Sequence, residues 1–164
     1  MSTKPVRLVG ILSIVAGLIM VILGGVVWGV VTSELASEKI TVPADSTLLP
    51  GAAVNNPLAA YAQAQIIKHH ALTSSGDKTY SELGALATEA TKAGDKDAAA
   101  KYTATRTTVM NGSFLRASLF TSVLSYGVCA MAMGLGLMLG LIGWALTVVA
   151  KALAPAVAEV KATV

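Results

Sequence analysis

Two long stretches without charge frame this chain. The first runs from Leu8 to Ser33, 26 residues between Arg7 and Glu34. The second runs from Ala117 to Ala150, 34 residues between Arg116 and Lys151. As helix, the first is roughly 39 Å long against a hydrocarbon core of about 30 Å. The second exceeds a bilayer, so its opening residues, Ala117 to Ser122, are expected to form an interfacial turn, with Val123 to Val149 in the membrane. The pattern therefore predicts two transmembrane helices, one near each end. A cleaved signal peptide is the competing reading of the first stretch. Its apolar region normally spans about 7–15 residues and ends on small residues. Here Glu34-Leu35-Ala36-Ser37 follows a far longer run, which favours an uncleaved anchor.

The segment between, residues 34–116, carries eight basic and eight acidic residues. It opens extended, over Ile40 to Asp45, and loops through Pro50-Gly51 to Asn55-Asn56. Asn56-Pro57 has the form of an N-cap followed by proline in the first helical position, predicting a helix from Pro57 to about Leu72. At 100° per residue, Leu58, Tyr61, Ala62, Gln65, Ile66, His69 and Leu72 share its apolar face. Ser74 to Asp77 breaks it. Thr79-Tyr80-Ser81-Glu82 is a capping-box pattern and predicts a second helix, to about Ala93. Gly94-Asp95 breaks that one, and a third starts near Asp97. Asn111-Gly112 either interrupts the third helix or is absorbed into one long helix, and near-continuity is expected because Ser113 to Arg116 resumes the pattern.

Composition agrees with an all-α membrane protein. The hydrophobic fraction is 54% and the charged fraction 13%, about half the charge of an ordinary soluble surface. Net charge is +3 with basic residues scattered, which leaves no nucleic-acid footprint. The single Cys129 excludes an intramolecular disulfide and reads as a small buried hydrophobe. Lys4 and Arg7 before the first span, against Glu34, Glu38 and Lys39 after it, favour a cytoplasmic N-terminus. Residues 1–7 and the tail 151–164 would then be cytoplasmic, the tail broken at Pro155, and residues 34–116 extracytoplasmic, in a two-helix hairpin at the plasma membrane. Trp28, Phe120, Tyr126 and Trp144 fall near the span ends, where aromatic rings settle.

Ten of the fifteen glycines lie in or beside the spans. Gly10, Gly17 and Gly24 recur every seven residues, as do Gly127 and Gly134, and Gly136 and Gly140 are four apart. Small residues let helix backbones approach closely in lipid. The expected hairpin contact is Gly10/Gly17/Gly24 against Gly127/Gly134, leaving Gly136/Gly140 for another subunit. Arg106 and Arg116 precede the second span and would contact lipid phosphates or a partner protein.

Several stretches resemble a family of small actinobacterial membrane proteins often labelled aromatic ring-opening dioxygenase-like. They are Glu38 to Val42, Asn56-Pro57, Ala60 to Ala64, Ile66 to Leu72, Lys78 to Leu83, Ser113 to Thr121 and Gly143 to Leu146. The resemblance implies two spans, an extracytoplasmic helical segment and a plasma-membrane location. It also suggests an accessory subunit of an actinobacterial respiratory assembly, the cytochrome bcc–aa3 supercomplex, although it implies no known reaction.

A ferrous-iron enzyme would need ligands, and His69 and His70 are the only imidazoles. Neighbours on a helix diverge by about 100°, whereas a shared metal wants spacings of three or four. No catalytic motif is present. Neither span holds an ionisable side chain apart from Tyr126 and Cys129, which argues against a transport path within this chain alone. The expected function is that of a non-catalytic, cofactor-free accessory subunit, in contact with other membrane subunits and phospholipids. The alternatives are a metal-dependent membrane enzyme and a homo-oligomeric envelope protein.

Overall fold

The computed structural model describes residues 3–162, so the outermost residues of both expected tails, 1–2 and 163–164, lie outside the described residues. Four helices make up the chain in the order α1 (Lys4–Ser37), α2 (Pro57–Ser74), α3 (Tyr80–Lys92) and α4 (Lys96–Ala162). No strand occurs among the described residues, only an isolated antiparallel bridge between Thr41 and Ala53 in the loop before α2. Contacts divide the chain into two compact units. One joins the N-terminal stretch through Val30 to the C-terminal stretch from Tyr126, and the other is Val31–Ser125.

In the first unit, α1 and the later part of α4 lie against each other with glycines at the closest points. By length and composition, both helices are able to cross a membrane. Only 11% of the most apolar window of each is buried, whereas a core helix of a soluble protein would be mostly buried. Around the contact, Leu12, Leu18 and Leu23 on α1 and Leu137 and Leu141 on α4 stay well exposed. The helix continues through Pro155, where an interruption was expected. Proline there withholds one N–H from the carbonyl four residues back, a local loss the rest of the helix survives.

The second unit follows from local signals. The side chain of Asn56 accepts from the Ala59 amide at 2.9 Å and starts α2, with Pro57 in the first turn. Gly76 and Asp77, with φ of 63° and 60°, turn the chain out of α2. Thr79 then caps α3 reciprocally: the Glu82 carboxylate accepts from the Thr79 amide and hydroxyl, both at 2.7 Å, and the Glu82 amide donates back to Thr79 Oγ1 at 3.4 Å. Asp95 opens α4 by accepting from the Ala98 amide at 3.0 Å. Asn111-Gly112 and residues 117–122 are both part of continuous α4. Removing the α3 cap with Thr79→Ala is expected to cost about 1 kcal/mol, seen as faster hydrogen exchange confined to the first turns of α3.

The buried face of α2 overlaps the expected one only in part, at Ala62 and Ile66. Ala59, Ala60, Ala62, Ala64 and Ile66 are buried, whereas Leu58 is 70% exposed and Tyr61 39%. Val42 and Val54 of the loop before α2, Leu83 and Ala90 of α3, and Val109 and Leu119 of α4 are buried in the same unit. The alanines lie on the face that packs, because a Cβ-only side chain lets a neighbouring element come near. Weighting large apolar residues turned the expected face towards Leu58 and Tyr61, away from Ala59, Ala60 and Ala64.

Candidate interaction site

Within the first unit the contact is a glycine seam. A Cβ built on Gly10 would lie 2.8 Å from the Gly143 carbonyl oxygen, and one on Gly24 would lie 2.7 Å from Met133 Cγ and 3.1 Å from the Cys129 carbonyl oxygen. A Cβ on Gly17 would collide with the Gly136 carbonyl, and one on Gly136 would lie 2.6 Å from the Gly17 carbonyl oxygen. The partners run in opposite order along the two helices. On α4 the buried positions Cys129, Gly136, Gly143 and Ala150 repeat every seven residues, matching Gly10, Gly17 and Gly24. A seven-residue repeat is the spacing of a left-handed helix pair.

This corrects the expected pairing. Cβ atoms on Gly127 and Gly134 would meet nothing within 4 Å, so these glycines lie off the seam. Gly136 is not free for another subunit, and Gly140 presents its backbone nitrogen 2.9 Å from a Cβ on Gly17. Gly136 belongs to two spacings, Gly136/Gly140 and Gly136/Gly143. The second continues from Cys129, which puts three small residues in one register. At the far end of the seam Tyr126, 1% exposed, meets Trp28 edge to face at 4.6 Å between ring centroids.

In the second unit the two arginines are bound inward. The Arg106 guanidinium lies over the Tyr80 ring at 4.0 Å, and its Nε is buried with no hydrogen-bond partner. It also lies against Gly84, where a Cβ would come within 3.1 Å of that Nε. Arg116 Nε donates to the Ala64 carbonyl at 3.2 Å, while its guanidinium carbon is 5.8 Å from the Phe120 ring centroid. Phe120 packs edge to face on Tyr61, 6.1 Å between centroids. Lys68, Ala71, Leu72, Thr79, Tyr80, Ser81, Val109, Gly112, Ser113 and Arg116 line a groove of about 380 Å³ among α2, α3 and α4.

Comparison with protein families, with curated proteins and with solved structures finds no match to this chain.

The histidines do not form a ligand pair. Both are exposed, so His69 is not packed in the core as the apolar-face reading expected, and their ring centroids are 6.0 Å apart. No three of His, Cys, Asp and Glu come together among the described residues. His70 Nε2 instead lies 2.7 Å from Asp45 Oδ2, tying the loop before α2 to the end of that helix. The hydrogen bond to His70 lowers the Asp45 pKa below its ordinary 3.8. A lowered aspartate favours the folded loop above that value, and the benefit disappears as pH falls through the lower, folded-state value. Hydrogen exchange at Val42 and Val54, both 1% exposed, is expected to accelerate only in that acid range. In Asp45→Ala it should be modestly faster at neutral pH as well, because a pair this exposed contributes little.

Sequence reading missed the contacts of Asp45, Tyr80, Gly84 and Gly143. Gly143 was visible as the next step of the seven-residue spacing from Gly136. Tyr80 and Gly84 sit four apart on α3, a pairing that acquires meaning only once Arg106 arrives from another helix.

Proposed function

We propose that the chain is a non-catalytic subunit of a multi-subunit plasma-membrane complex, embedded by α1 and α4 as an antiparallel hairpin. The observation that carries this reading is the use of one glycine edge for the internal contact while the rest of the two uncharged stretches stays apolar and open. Leu124 is 68% exposed, Leu141 66% and Trp144 63%. Apolar surface on that scale is costly in water and at rest in lipid. Gly25 and Gly29 on α1 and Gly127 and Gly134 on α4, with open space beside them, supply places where a partner helix could approach closely. Of the expected outward pair, Gly136 lies in the seam, whereas a Cβ on Gly140 would meet nothing within 4 Å.

Charge asymmetry around α1 supports cytoplasmic termini and an extracytoplasmic Val31–Ser125 unit. The resemblance to small actinobacterial membrane proteins directs the search for the complex to the respiratory cytochrome bcc–aa3 assembly. The metal-enzyme alternative rests on two exposed histidines facing apart and has no geometric support of its own.

Purification of the tagged full chain in mild detergent, followed by mass spectrometry, tests the proposal. Stoichiometric recovery of a larger set of membrane subunits is expected, the cytochrome bcc–aa3 components among them. Migration only as a free monomer or homodimer would reject an accessory role, and recovery with a different complex would reject the respiratory assignment.

A further inference from the structure

Where the glycine seam ends, a groove of about 410 Å³ opens between the start of α1 and the later part of α4. The seam closes at Gly10, where a Cβ would lie 2.9 Å from the Thr147 methyl. The Thr147 hydroxyl is turned away and donates to the Trp144 carbonyl at 2.7 Å. Beyond that point Thr3 and Arg7 line one side, and Val148, Ala150 and Lys151 of α4 line the other. Arg7 and Lys151 are exposed, and neither is ion-paired among the described residues. No acidic residue among the described ones lines the groove. In the sequence the carboxylate nearest to either cation is Glu159, eight residues past Lys151, or about 12 Å along a helix. Two cations brought from different helices thus share one opening at the edge of the apolar stretches, a setting suited to an anionic headgroup.

We propose that this groove seats an anionic phospholipid, with Arg7 and Lys151 holding the phosphate and Val148, Trp144 and Leu141 receiving an acyl chain. The choice of a lipid rests on the membrane reading above. Direction favours it. Arg7 immediately precedes the uncharged stretch of α1, and Lys151 immediately follows that of α4. At 100° per residue, Lys151, Val148, Trp144 and Leu141 fall within about 80° of one another on α4. The three apolar side chains are exposed. They run from the cation into the uncharged stretch, about 15 Å from Lys151 to Leu141, against a hydrocarbon core of about 30 Å. A lipid held by its phosphate would therefore lay its chain along apolar side chains towards the bilayer centre. A free phosphate would gain nothing from that flank, and a zwitterionic headgroup would bring its own ammonium against the two cations. Because Arg7 and Lys151 belong to different helices, the headgroup would also tie α1 to α4, at the opposite end of the seam from the Trp28–Tyr126 contact.

The test uses the full chain extracted in mild detergent, incubated with equal amounts of phosphatidylglycerol and phosphatidylcholine, and read by native mass spectrometry. Wild type is expected to retain phosphatidylglycerol preferentially, and added phosphatidylglycerol should raise its thermal midpoint. Arg7→Gln and Lys151→Gln should each reduce the retention about fivefold. Both side chains are exposed, so the variants keep the fold. Lys4→Gln removes a cation from the same end that does not line the groove, and its loss should be much smaller. A loss in Lys4→Gln as large as in the other two would mean diffuse surface charge instead of a site and would overturn the proposal. Displacement of the lipid by millimolar inorganic phosphate would make the groove a free-anion site and overturn it as well. A wild type that sediments with membranes but retains the two lipids equally defeats this proposal alone, whereas a chain found in the soluble fraction defeats the membrane reading with it.

Discussion

Valine in place of Gly17 or Gly136 is expected to force α1 and α4 apart, lowering the thermal midpoint of the detergent-solubilised protein, while valine at Gly134 leaves it near wild type. The asymmetry comes from backbone. A Cβ on Gly136 would sit 2.6 Å from the Gly17 carbonyl oxygen and 3.0 Å from Met20 Cβ, and neither is the far end of a flexible side chain. Relief requires one helix to withdraw, which opens the seam at Gly10 and Gly24 as well. Over-packing of this kind typically costs about 1–3 kcal/mol, and more where backbone must move. At Gly134 a Cβ meets nothing within 4 Å. Alanine sharpens the contrast, because Gly134→Ala should gain about 0.5–1 kcal/mol from helix propensity and Gly136→Ala should lose stability. Equal shifts at the two positions would place the helix contact elsewhere.

Leu83→Ala is expected to loosen the Val31–Ser125 unit. Leu83 is 1% exposed and is the largest fully buried side chain of α3. Its removal should cost about 2–5 kcal/mol, the usual range for a buried Leu→Ala. Limited proteolysis should cut within α3 and the 93–95 turn, and the Arg106–Tyr80 stacking should be lost with it. Ala85→Ser, an exposed change on the same helix, is the control that should leave the digestion pattern unaltered.

Local signals in the sequence carried far. The Asn56-Pro57 start of α2, the Thr79/Glu82 box and the break at Ser74 to Asp77 are decided within four or five residues, and the structure places them as read. The two uncharged stretches sit on two helices long and apolar enough to span a membrane. Choosing a face was harder. On α2 apolar side chains occur all round the helix, so size suggested Leu58 and Tyr61 while close packing chose the alanines. On α4 the glycines offered two overlapping registers, and Cys129, which selects between them, looks like any small apolar residue in a one-dimensional pattern. Long-range polar contacts could not be read at all. His70 and Asp45 are 25 residues apart, and Arg116 and Ala64 are 52 apart. Nothing near either partner announces the other.

Embedding of α1 and α4 in lipid is the central claim, and thiol labelling tests it most directly. In a Cys129→Ser background, Leu141→Cys occupies a position 66% exposed in the isolated chain, so in water a membrane-impermeant maleimide would reach it at once. Ala100→Cys, exposed on the early part of α4, reports the Val31–Ser125 unit. In intact cells Ala100→Cys should label readily, while Leu141→Cys should stay unlabelled until the membrane is dissolved in denaturing detergent. Labelling of Leu141→Cys in intact membranes at the rate of Ala100→Cys would contradict the account.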